Sequence, residues 1–232
     1  CPSYGTCSGA LPAGCQCLEG AIAGDGIRQD GEAGIPDVTV HVGQGKCPEA
    51  SYLSQYNAVT DAGGRLAMGN AEGRMQGRYD SPLTALGHRQ ACLLSARLQS
   101  EGRELAALYA SPLRRATETA EILSASLALP VTMDERLAEY DIGLLTGILW
   151  ADLERLHPEI WRQLHDTRGH VAYPGEEGMD AFQRRVAAVL EDFCARHGDD
   201  QAVGIVSHGG TLSLLVCAAL GIPPRRPPPP RL

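Results

Sequence analysis

A histidine set directly behind a short β-branched run is the most chemically suggestive feature of the sequence. In Val206-Ser207-His208-Gly209-Gly210 the imidazole falls between a predicted buried strand and an apolar helix. Ligands of open α/β sheets bind at that carboxyl end. The two glycines let a ligand approach the backbone, and a helix starting at Thr211 offers N–H groups to an anion. A histidine that caps the helix without any ligand is the structural alternative. Ser111-Pro112-Leu113-Arg114-Arg115-Ala116-Thr117 repeats the strand-to-helix pattern with arginine in the first turn. Cations there oppose the helix dipole, so an anion ligand suits Arg115 better than a structural role, a solvated arginine pair being the alternative. In Leu137-Ala138-Glu139-Tyr140 a loop carboxylate either donates a proton or is simply solvated. The loop Asn70 to Gly77 is polar and glycine-containing, and can turn amides toward a phosphate.

These residues need elements to carry them. Apolar spacing predicts a helix from Thr84 to Leu98, with Leu86, Leu93, Leu94 and Leu98 on its apolar face and Thr84 as its cap. Leu105–Tyr109 reads as a buried strand, Arg115–Leu127 as a helix and Val131–Met133 as a short strand. Ala151–Leu164 is helical in two pieces broken at Pro158. Asp180–His197 is a long amphipathic helix, Ala202–Val206 a strand and Thr211–Leu220 an apolar helix. Strand–helix alternation implies an α/β fold, a parallel-rich sheet with helices on both faces. The proline-rich stretch from Pro223 to Pro230 is predicted to be extended and exposed.

Taken together, five ordered stretches resemble the histidine phosphatase superfamily, the phosphoglycerate-mutase-like fold. They are Asn70 to Thr84, Ser111 to Ala116, Leu137-Ala138-Glu139, Pro174-Gly175-Glu176 and Ser207 to Gly210, and coverage runs from about residue 70 to about residue 224. The resemblance implies a three-layer domain that binds a small phosphorylated substrate between two histidines. One histidine is the nucleophile, and the other steadies the transferring phosphoryl group with Arg, Asn and Gln side chains. It assigns the second histidine to His208, the acid to Glu139 and phosphate contacts to Arg115, Asn70 and Gln76. The resemblance also implies a nucleophile six residues before the asparagine, in an Arg-His-Gly motif ending the first, central strand. Gly63 and Gly64 stand there instead. Glycine has no side chain to attack or clamp phosphorus, so the pocket is expected to bind phosphomonoesters with negligible turnover. The strand preceding that motif is also expected to be missing, Asn57–Ala62 being short and polar. His41 follows an alternating run and precedes Val42-Gly43, but a long excursion would separate it from Asn70.

The first 66 residues have a different texture, with five of the eight cysteines (Cys1, Cys7, Cys15, Cys17 and Cys47) in the first 50. Such density predicts disulfides, with zinc at Cys15 and Cys17 as the rival, while Cys92, Cys194 and Cys217 read as buried apolar thiols. Residues 24–40 and 59–65 resemble the β-sandwich repeats of bacterial surface proteins, the SD-repeat B-like modules. That resemblance implies Ca²⁺ held by Asp25, Asp30 and Glu32, against a solvated turn. The expected organisation is a truncated β module over 1–66, a truncated phosphatase-like domain over 67–224 and a tail over 225–232. A chain opening on Cys1 reads as a fragment or a processed product, and where the resemblance implies a further strand after Ile222 this chain runs into proline instead.

Composition bounds the function. A net charge of −8 argues against a nucleic-acid partner held by phosphate contacts, and only Lys46 among the 20 basic residues is lysine. No apolar run approaches the roughly 20 residues of a membrane span. Localisation is divided, cytoplasmic by one module and extracellular by the other. The rival to a phosphatase-like protein is a non-catalytic surface or adhesion protein using the N-terminal module, or a misjoined chain with no function as a unit.

Overall fold

The computed structural model describes residues 39–43, 67–102, 104–166 and 171–220. Four strands form one sheet: β1 (Thr39–Gly43), β2 (Ala107–Ala110), β3 (Val131–Met133) and β4 (Val203–Ser207), in the order β1-β4-β2-β3. β4, β2 and β3 are parallel, and β1 runs antiparallel to β4 with Thr39 opposite Ser207 and His41 opposite Ile205. The helices are α1 (Met68–Ala71), α2 (Ala85–Ser100), α3 (Arg114–Leu127), α4 (Trp150–Leu156), α5 (Pro158–Asp166), α6 (Met179–Arg196) and α7 (Gly209–Ala219). The α/β fold with a parallel sheet is therefore as the sequence implies. The alternating run expected near Val38–Val42 is a strand, and it joins the sheet that carries His208.

Side chains alternate across the sheet and so build two cores. Leu108, Ala110 and Val206 pack with Ala116, Ala120 and Leu123 of α3 and Leu98 of α2. Tyr109 faces the other way, onto Phe182, Val186, Val189 and Phe193 of α6 and Leu212 and Leu215 of α7. A third cluster of Met75, Leu145 and Leu153, with Trp150, Trp161 and Tyr173 against it, ties the 67–83 segment to α4 and α5. Each fully buried leucine there contributes about 2 kcal/mol.

Local chemistry sets the helix ends. Thr84 Oγ1 accepts the Gly87 amide at 3.0 Å and caps α2. Pro158 opens α5, where its missing N–H costs no helical bond. The apolar face of α2 differs from the expectation. Gly87, Ala91, Ser95 and Leu98 are buried, whereas Leu93 is 54% exposed. Small side chains let α2 approach α3 closely, and the Ser95 and Ser126 hydroxyls bond across that contact. Cys217 is a free thiol as expected, but Cys92, Cys194 and Cys217 are half-buried rather than buried. The five N-terminal cysteines, Gly63, Gly64 and the 1–66 module apart from β1 lie outside the described residues. So does the proline-rich tail.

One close approach fixes the loops above the sheet. Gly143 has φ +52°, and a Cβ there would lie 2.4 Å from both the Pro174 oxygen and the Gly175 carbonyl carbon. The Leu144 amide bonds the same Pro174 oxygen at 2.9 Å. Gly102 has φ +62° with nothing near its missing Cβ. In chemical denaturation, Gly102→Ala is expected to cost only the backbone term, about 1–2 kcal/mol. Gly143→Ala should cost clearly more, and equal losses would refute the clash.

Candidate phosphate-binding site

The site lies at the carboxyl ends of β2 and β4, which finish side by side. The Ser111 amide bonds the Val206 oxygen at 2.9 Å, which brings Ser111 beside the residues that follow β4. His208 is fully buried, and its Nε2 lies 2.7 Å from Ser111 Oγ. Its Nδ1 is buried without a partner. An imidazole nitrogen left so costs free energy unless a ligand or water meets it. Burial pushes the His208 pKa well below the ordinary value, and the Arg115 and Arg185 guanidinium groups push it further. The ring is neutral near pH 7.

Arg115 is 1% exposed and donates Nη1 to the Tyr79 oxygen and Nη2 to the Gly77 oxygen, each at 2.9 Å. The charged first turn of α3 thus fastens the loop that follows α1, which carries Gln76 beside Asn70 of that helix. Gln76 Nε2 donates to Asn70 Oδ1, and Gln76 Oε1 is a buried acceptor without a partner. Ser81 Oγ is buried and without a partner too.

Glu139 reaches the same region from the other side. Its Oε2 accepts the Gly210 amide at 3.0 Å and its Oε1 the Tyr140 amide at 2.8 Å. The carboxylate therefore rests on the first turn of α7, where the helix dipole favours negative charge. That turn begins at Gly209, two residues before the predicted Thr211. A Cβ on residue 210 would meet Glu139 Oε1 at 2.6 Å, so glycine is required for this contact.

The structure thus sets His208 and Glu139 at one helix start, and Arg115 between the β2 terminus and the Asn70–Gln76 loop. Asp25, Asp30 and Glu32 lie outside the described residues, and among those described no group of residues has a metal-holding arrangement. Among the described residues no helix is long and apolar enough to cross a membrane. Three contributors escape the sequence reading. Ser111 carries no signal beyond its place before Pro112. Glu177 follows the Pro174-Gly175-Glu176 stretch, and its Oε1 accepts the Asp141 amide at 2.9 Å. Arg185 lies three residues after Phe182 and just before Val186, on the apolar stripe of α6. A guanidinium on a buried stripe is the signal that could have found it.

Comparison with known proteins shows the family. Residues 64–232 match the histidine phosphatase superfamily (branch 1), and the chain belongs to that family. It is 33% identical over 153 residues to "Phosphoserine phosphatase 1" of Hydrogenobacter thermophilus, covering 66% of this chain and 71% of that one. It is 37% identical over 159 residues to a Yersinia enterocolitica protein named "Probable phosphoglycerate mutase GpmB", covering 67% and 71%. Among solved structures, the α-ribazole phosphatase of Shigella flexneri is similar with a TM-score of 0.59 and 27% identity, over 68% of this chain and 76% of that chain.

The depressed pKa of His208 has a consequence for stability. Below the unfolded value near 6.5, the unfolded chain takes up a proton that the buried ring refuses, so acid favours unfolding. This contribution is present above that pH and is lost as pH falls through it. Unfolding free energies of the wild type and His208→Gln, measured from pH 7.5 to pH 5, should converge as pH falls. The slope of their difference is at most about 1.4 kcal/mol per pH unit for one proton. Parallel curves would show that the ring titrates normally.

Proposed function

We propose that this protein binds small phosphomonoesters in the pocket between His208, Arg115 and Glu139, with little or no phosphoryl transfer. The observation that carries the reading is the fully buried His208 with an unpartnered Nδ1, set at the end of β4 between two guanidinium-anchored loops. A neutral imidazole can donate a hydrogen bond to a phosphate oxygen, and the nearby guanidinium groups offset the phosphate charge. Asn70 and Gln76 would add polar contacts from their loop. Glu139, at the start of α7, is the acid that would protonate a leaving oxygen. The relatives named as phosphatases support a small phosphorylated molecule as the occupant. The surface-adhesion alternative has no comparable support.

Negligible turnover follows from the residue at the nucleophile's position, Gly64. Among the described residues, the histidines other than His208 have other surroundings. His88 is half exposed beside Glu118, His165 packs on Trp161 and His197 bonds the Tyr109 hydroxyl at 2.8 Å. His157 lies at the C-terminus of α4. β1 adds a second argument. Its antiparallel pairing puts Thr39 beside Ser207 and its carboxyl end, Gly43, beside Val203. A histidine ending that strand would therefore lie at the opposite end of β4 from His208.

Titration with orthovanadate or inorganic phosphate is expected to show saturable binding that His208→Gln weakens. Hydrolysis of p-nitrophenyl phosphate should stay at the level of buffer. Binding lost in the wild type would refute the pocket, and turnover abolished by His208→Ala would refute its idleness. The double variant Gly63→Arg, Gly64→His should not restore turnover, because β1 occupies the edge of β4. Restored turnover would mean that the central strand is available after all.

A further inference from the structure

The backbone carbonyls leading to Glu139 are all accounted for, and one side chain takes most of them. Arg185 Nη1 donates to the Arg136 and Ala138 oxygens, both at 2.8 Å. Its Nη2 donates to the Glu139 oxygen at 3.0 Å and to Glu177 Oε1 at 2.8 Å, and its Nε to Glu177 Oε2 at 2.9 Å. That is one bond for each of the five N–H donors of a guanidinium. The remaining carbonyl, Leu137, accepts Ser207 Oγ at 2.6 Å, and Ala138 also accepts Thr211 Oγ1 at 2.8 Å. Below the guanidinium lies the Phe182 ring, 4.6 Å from its carbon to the centroid. Glu177 completes the arrangement by taking the Asp141 amide, beyond the far side of Glu139.

From this arrangement we infer that Arg185, buckled to Glu177, is the positioning residue that seats the Glu139 carboxylate on the first turn of α7. It makes no hydrogen bond to His208, Arg115, Asn70 or Gln76, and it holds Glu139 through the backbone on either side of that residue. Two features make the assignment specific to arginine. The acceptors lie in one fan matched by a planar fork, and lysine has only three donors on a point charge. The two charged side chains are also mostly removed from water, with 16% and 13% of Arg185 and Glu177 exposed. Removing Glu177 takes two hydrogen bonds from a largely buried Arg185, and removing Arg185 leaves Glu177 to the Asp141 amide and the more distant Arg78, so the segment cannot relax cheaply. With the carbonyls of residues 136, 138 and 139 fixed, the Glu139 side chain leaves the backbone where its oxygens meet the Gly210 and Tyr140 amides. The inference rests on reading Glu139 as the acid of the proposed pocket, but its geometry can be tested without any ligand.

The test uses the Gly210 and Tyr140 amide resonances of the full chain. In the wild type both protons should lie downfield and shift upfield together as Glu139 is protonated. Glu139→Gln should abolish that titration, which assigns it. Arg185→Lys keeps the charge, and in it both amides should lose most of the downfield shift and of the pH-dependent amplitude. The core variant Leu123→Ala, destabilised in the cluster on the opposite face of the sheet, should retain both. Should Arg185→Lys fail to fold, Glu177→Gln is expected to change the two amides in the same direction and to a smaller extent. Unchanged Gly210 and Tyr140 titrations in a folded Arg185→Lys or Glu177→Gln protein would overturn the inference. A separate addition of inorganic phosphate to the wild type tests the pocket itself, so failure of one reading does not masquerade as failure of the other.

Discussion

Two arginines taken out of water organise the upper end of this sheet. A guanidinium cannot shed its charge at any ordinary pH, and each buried N–H demands an acceptor. Arg115 directs Nη1 and Nη2 to the oxygens of Tyr79 and Gly77, and Arg185 bonds those of Arg136, Ala138 and Glu139. Apart from that of Arg136, in the short 3-10 helix Glu135–Leu137, none of these carbonyls belongs to a helix or strand. Loops that would otherwise bond to water are instead fastened to α3 and α6, the helices that cover opposite faces of the sheet. The shape of the pocket is thus set by where two cations find their acceptors.

His208 depends on that frame. It follows β4, sits against Ser111 at the end of β2 and lies within the field of both guanidinium groups. Burial and the two cations both disfavour a charged ring, so the pocket offers a neutral imidazole beside fixed positive charge. An anion gains most from such a site when it brings its own negative charge and takes a hydrogen bond from the ring. Glu139 stands at the same helix start as an internal anion. Its placement gives the Gly210 amide, in the first turn of α7, an acceptor.

Much of the scaffold is legible in the chain because it rests on local rules. The period of α6, the proline that divides α4 from α5, and the β-branched β4 each follow from residue type alone. His208 and Glu139 are legible as candidates because strand, glycine pair and helix occur in order around them. The buried face of α2 is not, because Gly87, Ala91 and Ser95 carry no apolar signal. Their burial is decided by how closely α3 approaches. Arg185 beside Arg184 looks like an exposed pair until the stripe from Phe182 to Phe193 is followed through it. The direction of β1 is also beyond reach of the sequence, since alternation fixes which residues share a face and not which way a strand runs. Fold family and candidate residues are therefore readable, whereas the contacts that hold those residues in place emerge only from the tertiary structure.

The most direct measurement is to expose the full chain to a phosphorylated donor, quench in alkali and look by phosphorus NMR for a phosphorus–nitrogen bond on protein. The account predicts a resonance for reversibly bound phosphate before the quench and no phosphohistidine after it. A phosphoramidate signal mapped to any histidine of the chain, His41 included, would contradict the claim that this pocket holds phosphate without a residue to attack it.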